Sequence, residues 1–204
     1  MFNLPVNTYS IDPITYDKDE IISCIEKNYE LDPSRNAVPN LGSLHQSLCD
    51  PNDKFKNPNY EQVSHLYAKS IEQYLADINL TGCQYRFYVA NYTCISEHTN
   101  MRSHFHTESD FAAVHYIQFD DKVHSPTRFN NPCSWNEYAQ FIRPNLYKFL
   151  SMDMEHSWFY DWWECIVKED DIVFFPSMLK HEIPTQKKSD KNRITVSLNI
   201  ELIS

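Results

Sequence analysis

Two stretches near the N-terminus space their apolar residues like helices, and much of the chain after residue 80 alternates like strands. In residues 17–30, Ile21, Ile22, Ile25 and Tyr29 form one stripe. Asp17 stands at the cap position there, with Glu20 three residues on as in a capping box. A second helix is predicted from Pro58 to about Ile78, with Val63, Leu66, Tyr67, Ile71, Tyr74, Leu75 and Ile78 on one face. Both stripes read as faces packed on a sheet. Residues 31–57 hold Pro33, Pro39 and Pro51 among polar clusters and read as loop.

From Cys83 the period drops to two, with Cys83, Tyr85, Phe87 and Val89 alternating with Gln84, Arg86 and Tyr88. Residues 104–120 read as a further strand, as do 158–167, 172–175 and 193–202. Residues 121–157 read as irregular, with a helical turn over 135–150. A helical front followed by many short strands predicts a mainly β protein, a jelly-roll barrel with flanking helices. At 204 residues the expectation is one domain, with residues 1–80 supporting a β core over 81–204.

Composition narrows the function. The net charge is −10 and no basic cluster exceeds Lys187-Lys188, which argues against a nucleic-acid or anionic-membrane surface. Only Gly42 and Gly82 are glycine, so a Gly-rich phosphate loop or dinucleotide-binding turn is excluded. The six cysteines show no C-x-x-C spacing and read as reduced. The opening segment lacks the basic start and apolar core of an export signal, and no apolar run nears the ~20 residues of a membrane span. The expected location is the cytoplasm.

The candidate chemistry lies in two segments. His104-Phe105-His106 sets two imidazoles at i and i+2, on one face if the segment is extended. A third ligand would let them converge on a metal ion, and His181 is the obvious one. Arg193, twelve residues beyond His181 (193 − 181), heads an alternating strand and offers a bidentate cation suited to a carboxylate. Arg193, Thr195 and Ser197 share one face of that strand, with Ile194, Val196 and Leu198 on the other. His115 alternates with Phe111, Ala113 and Ile117 and reads as a core or supporting residue.

These residues carry a family resemblance. The chain resembles the 2-oxoglutarate- and Fe(II)-dependent oxygenases, whose double-stranded β-helix holds iron with an H-x-D/E…H triad. It looks most like a bacterial and phage subgroup. That subgroup reads H-x-H, then a small pair before an aromatic strand, then F-P-S-x-L-x-H and R-I-x-x-S-x-N. Here the pieces are His104–His106, Ala112-Ala113 before Val114-His115-Tyr116, Phe175 to His181, and Arg193 to Asn199. The likeness spans roughly residues 85–202. Where relatives turn with Gly-Asp, this chain has Asp170-Asp171, and Asp tolerates positive φ better than most residues.

The resemblance implies Fe(II), 2-oxoglutarate and O2 as cofactor and co-substrates, with release of succinate and CO2. His104 and His181 match the two family histidines, while His106 stands where most relatives have a carboxylate. The third ligand is therefore His106, or else a nearby carboxylate, Asp110 or Glu108. Arg193 would take the C5 carboxylate of 2-oxoglutarate, helped by Thr195 or Ser197, with Tyr116, Tyr92 and Asn91 as further candidates for that pocket. The implied reaction is hydroxylation of a C–H bond in a peptide or protein (prolyl-type) or in a small molecule. Two alternatives stay open: a cupin-like metal enzyme without 2-oxoglutarate, and a non-catalytic barrel serving as a binding module.

Overall fold

The cap at Asp17 starts a helix, its carboxylate accepting from the Glu20 N–H at 2.9 Å, and α1 runs Lys18–Leu31. The other half of the box is filled from elsewhere, because the Asp17 N–H donates to Gln62 Oε1 at 2.8 Å. Gln62 lies on α2, Glu61–Asp77, which starts three residues past Pro58, where Asn59 Oδ1 accepts from the Glu61 N–H. The structure is a computed structural model describing residues 4–35, 42–48, 55–132, 145 and 161–203. The helical turn expected over 135–150 lies outside the described residues, apart from residue 145.

Eleven described strands follow the chain as β1 (Asn7–Ser10), β2 (Gly42–Ser43), β3 (His45–Leu48), β4 (Gln84–Ile95), β5 (Asn100–His104), β6 (Phe111–Gln118), β7 (Arg128–Asn130), β8 (Trp162–Glu164), β9 (Asp171–Pro176), β10 (His181–Ile183) and β11 (Arg193–Ile203). They form a six-stranded sheet ordered β1-β9-β6-β11-β4-β3 and a five-stranded sheet ordered β2-β5-β10-β7-β8. Every pairing is antiparallel. Two sheets so interleaved along the chain make the double-stranded β-helix.

The six-stranded sheet is covered on one side by the helices. Ile21, Ile25, Val63, Tyr67, Ile71 and Tyr74 are completely buried there against Ile194, Val196, Leu198 and Ile200 of β11. Each such side chain contributes about 1.5–3 kcal/mol by leaving water. The opposite side faces the second sheet. Val114, Tyr116, Val173 and Phe175 meet Phe129 there, and Leu44 and Ile95 meet Met101 and Ile183. The alternation read in β11 therefore separates a helix-packing face from a barrel-lining face.

Two sequence expectations are corrected. Residues 104–120 are not one strand: β5 ends at His104, and β6 begins at Phe111. The intervening loop is pinned where the His106 N–H donates to Ser177 O at 2.9 Å and the Ser177 N–H to Asp110 O at 3.0 Å. Residues 31–57 are not all loop, since β2 and β3 add one strand to each sheet. β3 shows no apolar alternation because its buried positions His45, Gln46 and Ser47 are polar, and pairing to β4 is what satisfies its backbone. β1, likewise polar, pairs with β9. Asp170 does occupy the positive-φ corner expected of it (φ 69°), with Lys18 Nζ bonded to its carboxylate at 2.8 Å.

His115 faces the helices and not the barrel interior. Its Nδ1 lies 2.9 Å from the Tyr67 hydroxyl and its Nε2 is buried without a hydrogen-bond partner. Burial, and secondarily Lys18, pushes its pKa down to about 3. In an unfolded chain imidazole titrates near ~6.5. Above that pH neither state holds the proton, so stability is unaffected. Below it the unfolded chain takes up a proton that the folded chain refuses. Each such histidine then costs up to about 1.4 kcal/mol of stability per pH unit. His104, His106, His124 and His181, all shifted down chiefly by burial, act in the same direction. The urea midpoint of metal-free protein is expected to fall from about pH 7 to about pH 5, and His115→Gln to show a shallower fall. A midpoint flat across that range would show these imidazoles titrating normally.

Candidate active site

β5 and β10 pair so that His104 and His181 lie directly opposite each other. The chain after β5 folds back to bring His106 beside them. The ring centroids are 4.3 Å apart for His104 and His181, 5.3 Å for His106 and His181, and 5.4 Å for His104 and His106. One nitrogen from each ring lies within 4.8 Å of the others, a cluster able to hold a metal ion. His106 thus joins the cluster from a loop, and not as the i+2 residue of a continuous strand.

The three rings are oriented alike. His104 Nδ1 donates to Arg102 O at 2.9 Å and His181 Nδ1 to Leu179 O at 2.8 Å, since a carbonyl oxygen can only accept. His106 Nδ1 bonds Asn199 Oδ1 at 3.0 Å. With every Nδ1 engaged, every Nε2 keeps its lone pair for a metal. Burial lowers the pKa of His104 and of His106, and takes that of His181 down to about 3 with help from His104. Three neutral imidazoles at physiological pH are the protonation state that ligation requires.

The carboxylates named as alternatives lie elsewhere. Asp110 Oδ2 accepts from the Leu202 N–H at 2.8 Å, and Asp110 and Glu108 are both exposed. Among the described residues, neither belongs to the histidine cluster.

Across the cavity, Thr195 and Ser197 of β11 line the wall together with Asn91, Thr93 and Gln46. Residues directly opposite in paired strands share a face. Gln46, Thr93, Thr195 and Tyr116 therefore form one rung across β3, β4, β11 and β6. The Thr93 and Thr195 hydroxyls are 2.7 Å apart. Gln46 Oε1 and Asn91 Oδ1 are buried without hydrogen-bond partners among the described residues.

Arg193 stands beside this rung, fully buried. Its Nε donates to Ser125 O at 3.0 Å and its Nη1 reaches Thr195 Oγ1 at 3.4 Å, while Nη2 has no hydrogen-bond partner among the described residues. The guanidinium carbon lies 5.1 Å from the Tyr116 ring centroid. No carboxylate among the described residues pairs with it: Asp170 bonds Lys18, and Asp171 accepts from Ser10 Oγ and the Lys168 N–H. Burial lowers the Arg193 pKa. A buried cation without a counter-ion is costly, and the arrangement calls for an anion.

The two tyrosines part company. Tyr116 faces the interior, where its hydroxyl donates to Thr127 Oγ1 at 2.9 Å and accepts from the Thr127 N–H at 2.9 Å, which fixes the ring beside the guanidinium. Tyr92 is placed on the helix side, where its hydroxyl accepts from Asn28 Nδ2 at 2.8 Å. A bulge explains this. Ser197 pairs with Asn91 but Leu198 with Val89, so Ala90 is the extra residue. Odd positions face the helices before it and the cavity after it. Thr127, Gln46 and Asn199 were missed by sequence reasoning. Asn199 did carry a signal, being in step with Arg193, Thr195 and Ser197 and closing the R-I-x-x-S-x-N motif; Gln46, in a polar segment, carried none.

The fold thus joins a cluster of three histidines able to hold a metal ion to a cavity wall whose Thr195 meets a buried arginine, a combination suited to a metal-dependent protein with an anionic ligand. A family model described as "Putative 2OG-Fe(II) oxygenase" matches residues 92–199, more than half of the chain. The chain belongs to this family, and is a 2-oxoglutarate-dependent oxygenase whose cofactor and co-substrates are Fe(II), 2-oxoglutarate and O2. No curated protein matches it by sequence.

Solved structures share the fold. A Pseudomonas putida prolyl-4-hydroxylase is similar at TM-score 0.55 and 11% identity, over 98% of this chain and 94% of that one. A Trichoplax adhaerens prolyl hydroxylase, in complex with a hypoxia inducible factor oxygen degradation domain peptide fragment, is similar at TM-score 0.58 and 8% identity, over 97% and 83%. The viral collagen prolyl hydroxylase of Paramecium Bursaria Chlorella virus-1, solved with 2OG, gives 0.51 and 10% over 95% and 94%. Among the described residues, no helix is long and apolar enough to cross a membrane.

Proposed function

We propose that this oxygenase hydroxylates a C–H bond in a peptide or protein, with proline as the target residue. His104, His106 and His181 hold the Fe(II), and Arg193 with Thr195 takes the C5 carboxylate of 2-oxoglutarate. The observation that carries the co-substrate role is the buried Arg193 guanidinium, which reaches Thr195 in the wall of the histidine cavity and has an unpartnered Nη2 and no carboxylate counter-ion among the described residues. The bound metal and co-substrate supply the oxidising chemistry, in which O2 gives one oxygen atom to the substrate C–H bond and one to succinate as CO2 leaves.

The chain's own residues bind, orient and exclude water. The Nδ1 acceptors hold each imidazole with Nε2 inward. Tyr116 is locked by Thr127 and supports the guanidinium from its ring face. Ala112, Val114 and Phe175 keep the adjoining wall apolar. On the same cavity wall as Thr195, Gln46 Oε1 and Asn91 Oδ1 offer two buried acceptors, which suit a substrate bearing N–H donors, as the backbone beside a target proline does. The prolyl reading is further supported by the fold shared with prolyl hydroxylases.

Proline-containing peptides are expected to stimulate succinate release from protein, Fe(II), 2-oxoglutarate and air, with one oxygen atom added to peptide mass per succinate. Gln46→Leu should slow peptide-dependent turnover about tenfold while leaving 2-oxoglutarate binding unchanged, the effect of one lost buried hydrogen bond. Succinate release stimulated by a small metabolite and by no peptide would overturn the peptide assignment.

A further inference from the structure

The cluster has three histidines but only two ways of holding them. His104 and His181 each donate Nδ1–H to the main-chain carbonyl two residues earlier, Arg102 O and Leu179 O. Arg102 lies in β5 and Leu179 in the bend before β10, and both acceptors are main chain and persist whatever the side chains. His106 lies in the loop after β5, and its Nδ1 meets a side chain instead, Asn199 Oδ1 at 3.0 Å. Asn199 comes from β11, 93 residues away in sequence, and is itself bonded through Nδ2 to the Tyr88 hydroxyl at 3.0 Å. Tyr88 and Asn199 are directly opposite on β4 and β11, so the relay is built on paired strands of the six-stranded sheet.

We propose that Asn199, steadied by Tyr88, is the positioning residue that makes His106 a metal ligand. This rests on the reading of the three histidines as the iron site. An imidazole in the carboxylate position has two nitrogens and two tautomers, and only the tautomer with Nε2 unprotonated can ligate. A carboxylate needs no such selection. The residue at position 106 therefore requires an acceptor on Nδ1, which Asn199 provides with its amide oxygen. The amide is neutral, so among the described residues no carboxylate holds any of the three imidazoles, unlike the carboxylate–imidazole–metal arrangements that raise ligand basicity.

The test uses purified full-length protein under anaerobic conditions, with Fe(II) affinity read by titration and Co(II) absorption reporting ligand geometry. Asn199→Leu, which removes the acceptor and keeps the volume, should weaken Fe(II) by about 10- to 100-fold, the usual cost of losing an outer-shell partner, and should alter the Co(II) spectrum. Asn199→Asp keeps an acceptor and adds a charge, so it should bind Fe(II) at least as tightly as the parent. Tyr88→Phe should give a smaller loss of about 3- to 10-fold, and it decides the matter if Asn199→Leu does not fold. Unchanged Fe(II) affinity in a folded Asn199→Leu protein, or in Tyr88→Phe where that variant must decide, would overturn the positioning role; so would weakened binding in Asn199→Asp. Failure of the parent protein to bind Fe(II) would instead overturn the iron-site reading itself.

Discussion

Arg193→Ala is expected to weaken 2-oxoglutarate binding by about 100-fold or more while Fe(II) affinity stays within a few-fold of the parent. A hydrogen bond to a charged group contributes about 1.5–3 kcal/mol, and two such bonds from one guanidinium exceed the 2.7 kcal/mol that corresponds to ~100-fold. The geometry is prepared for this. Nε is anchored on Ser125 O, Nη1 leans on the Thr195 hydroxyl, and Nη2 is buried with no partner. Charge accentuates the effect, because no carboxylate among the described residues offsets the cation, and the co-substrate supplies that charge when it binds. Calorimetric titration with 2-oxoglutarate, after Fe(II), measures both affinities. A readout by melting temperature serves equally well: co-substrate at ~100 times its Kd stabilises the parent by about 2.7 kcal/mol, and should leave the variant almost unmoved. Equal loss of iron and co-substrate would mean that Arg193 holds the barrel together and does not bind the ligand.

The proposed ligands give the other large effect, in opposite directions at two positions. His181→Ala should abolish measurable Fe(II) binding, a loss beyond the ~10- to 100-fold typical of outer-shell changes. His181 is almost fully buried, directly across from His104, and no other described side chain stands where its Nε2 points into the cluster. His106→Asp should instead tighten Fe(II) by about tenfold, because a carboxylate adds a unit negative charge next to the metal in a partly desolvated site. The same variant should show weaker mutual enhancement between Fe(II) and 2-oxoglutarate. In the parent's neutral site the dianionic co-substrate supplies all the compensating charge, so each ligand strengthens the other by the same factor. Complete loss of iron in His106→Asp would remove position 106 from the ligand set.

Much of this site was legible in the chain because its residues recur at strand spacing. Arg193, Thr195 and Ser197 follow one another at period two on a strand whose other face is apolar, and the structure keeps both faces as read. His104, His106 and His181 were visible as a set and lie together. The choice between His106 and Asp110 was not visible, since it depends on how the six residues between β5 and β6 turn. Asp110 is drawn to the Leu202 N–H, and His106 is left to face the cluster. Tyr92 and Asn91 were named together although adjacent strand residues point oppositely, and the bulge at Ala90 decided between them. His115 went to the helix side for the related reason that β6 presents Ala112, Val114 and Tyr116 to the interior.

The sequence by itself determined what depends on near neighbours: two helices with apolar stripes, the cap at Asp17, the strand periods, the positive-φ corner accepted by Asp170, and the residue types proposed for an iron and 2-oxoglutarate site. These follow from backbone sterics, local hydrogen bonds and solvent transfer within a few residues. Tertiary structure decided whatever depends on partners distant in the chain. Polar segments such as His45–Leu48 become strands because β4 satisfies their backbone, and Gln46 thereby enters the cavity wall. Asn199 meets His106 only because β11 runs under the loop that follows β5. A hydrogen bond across 93 residues leaves no period in the sequence, and its energy appears only once both strands are in register.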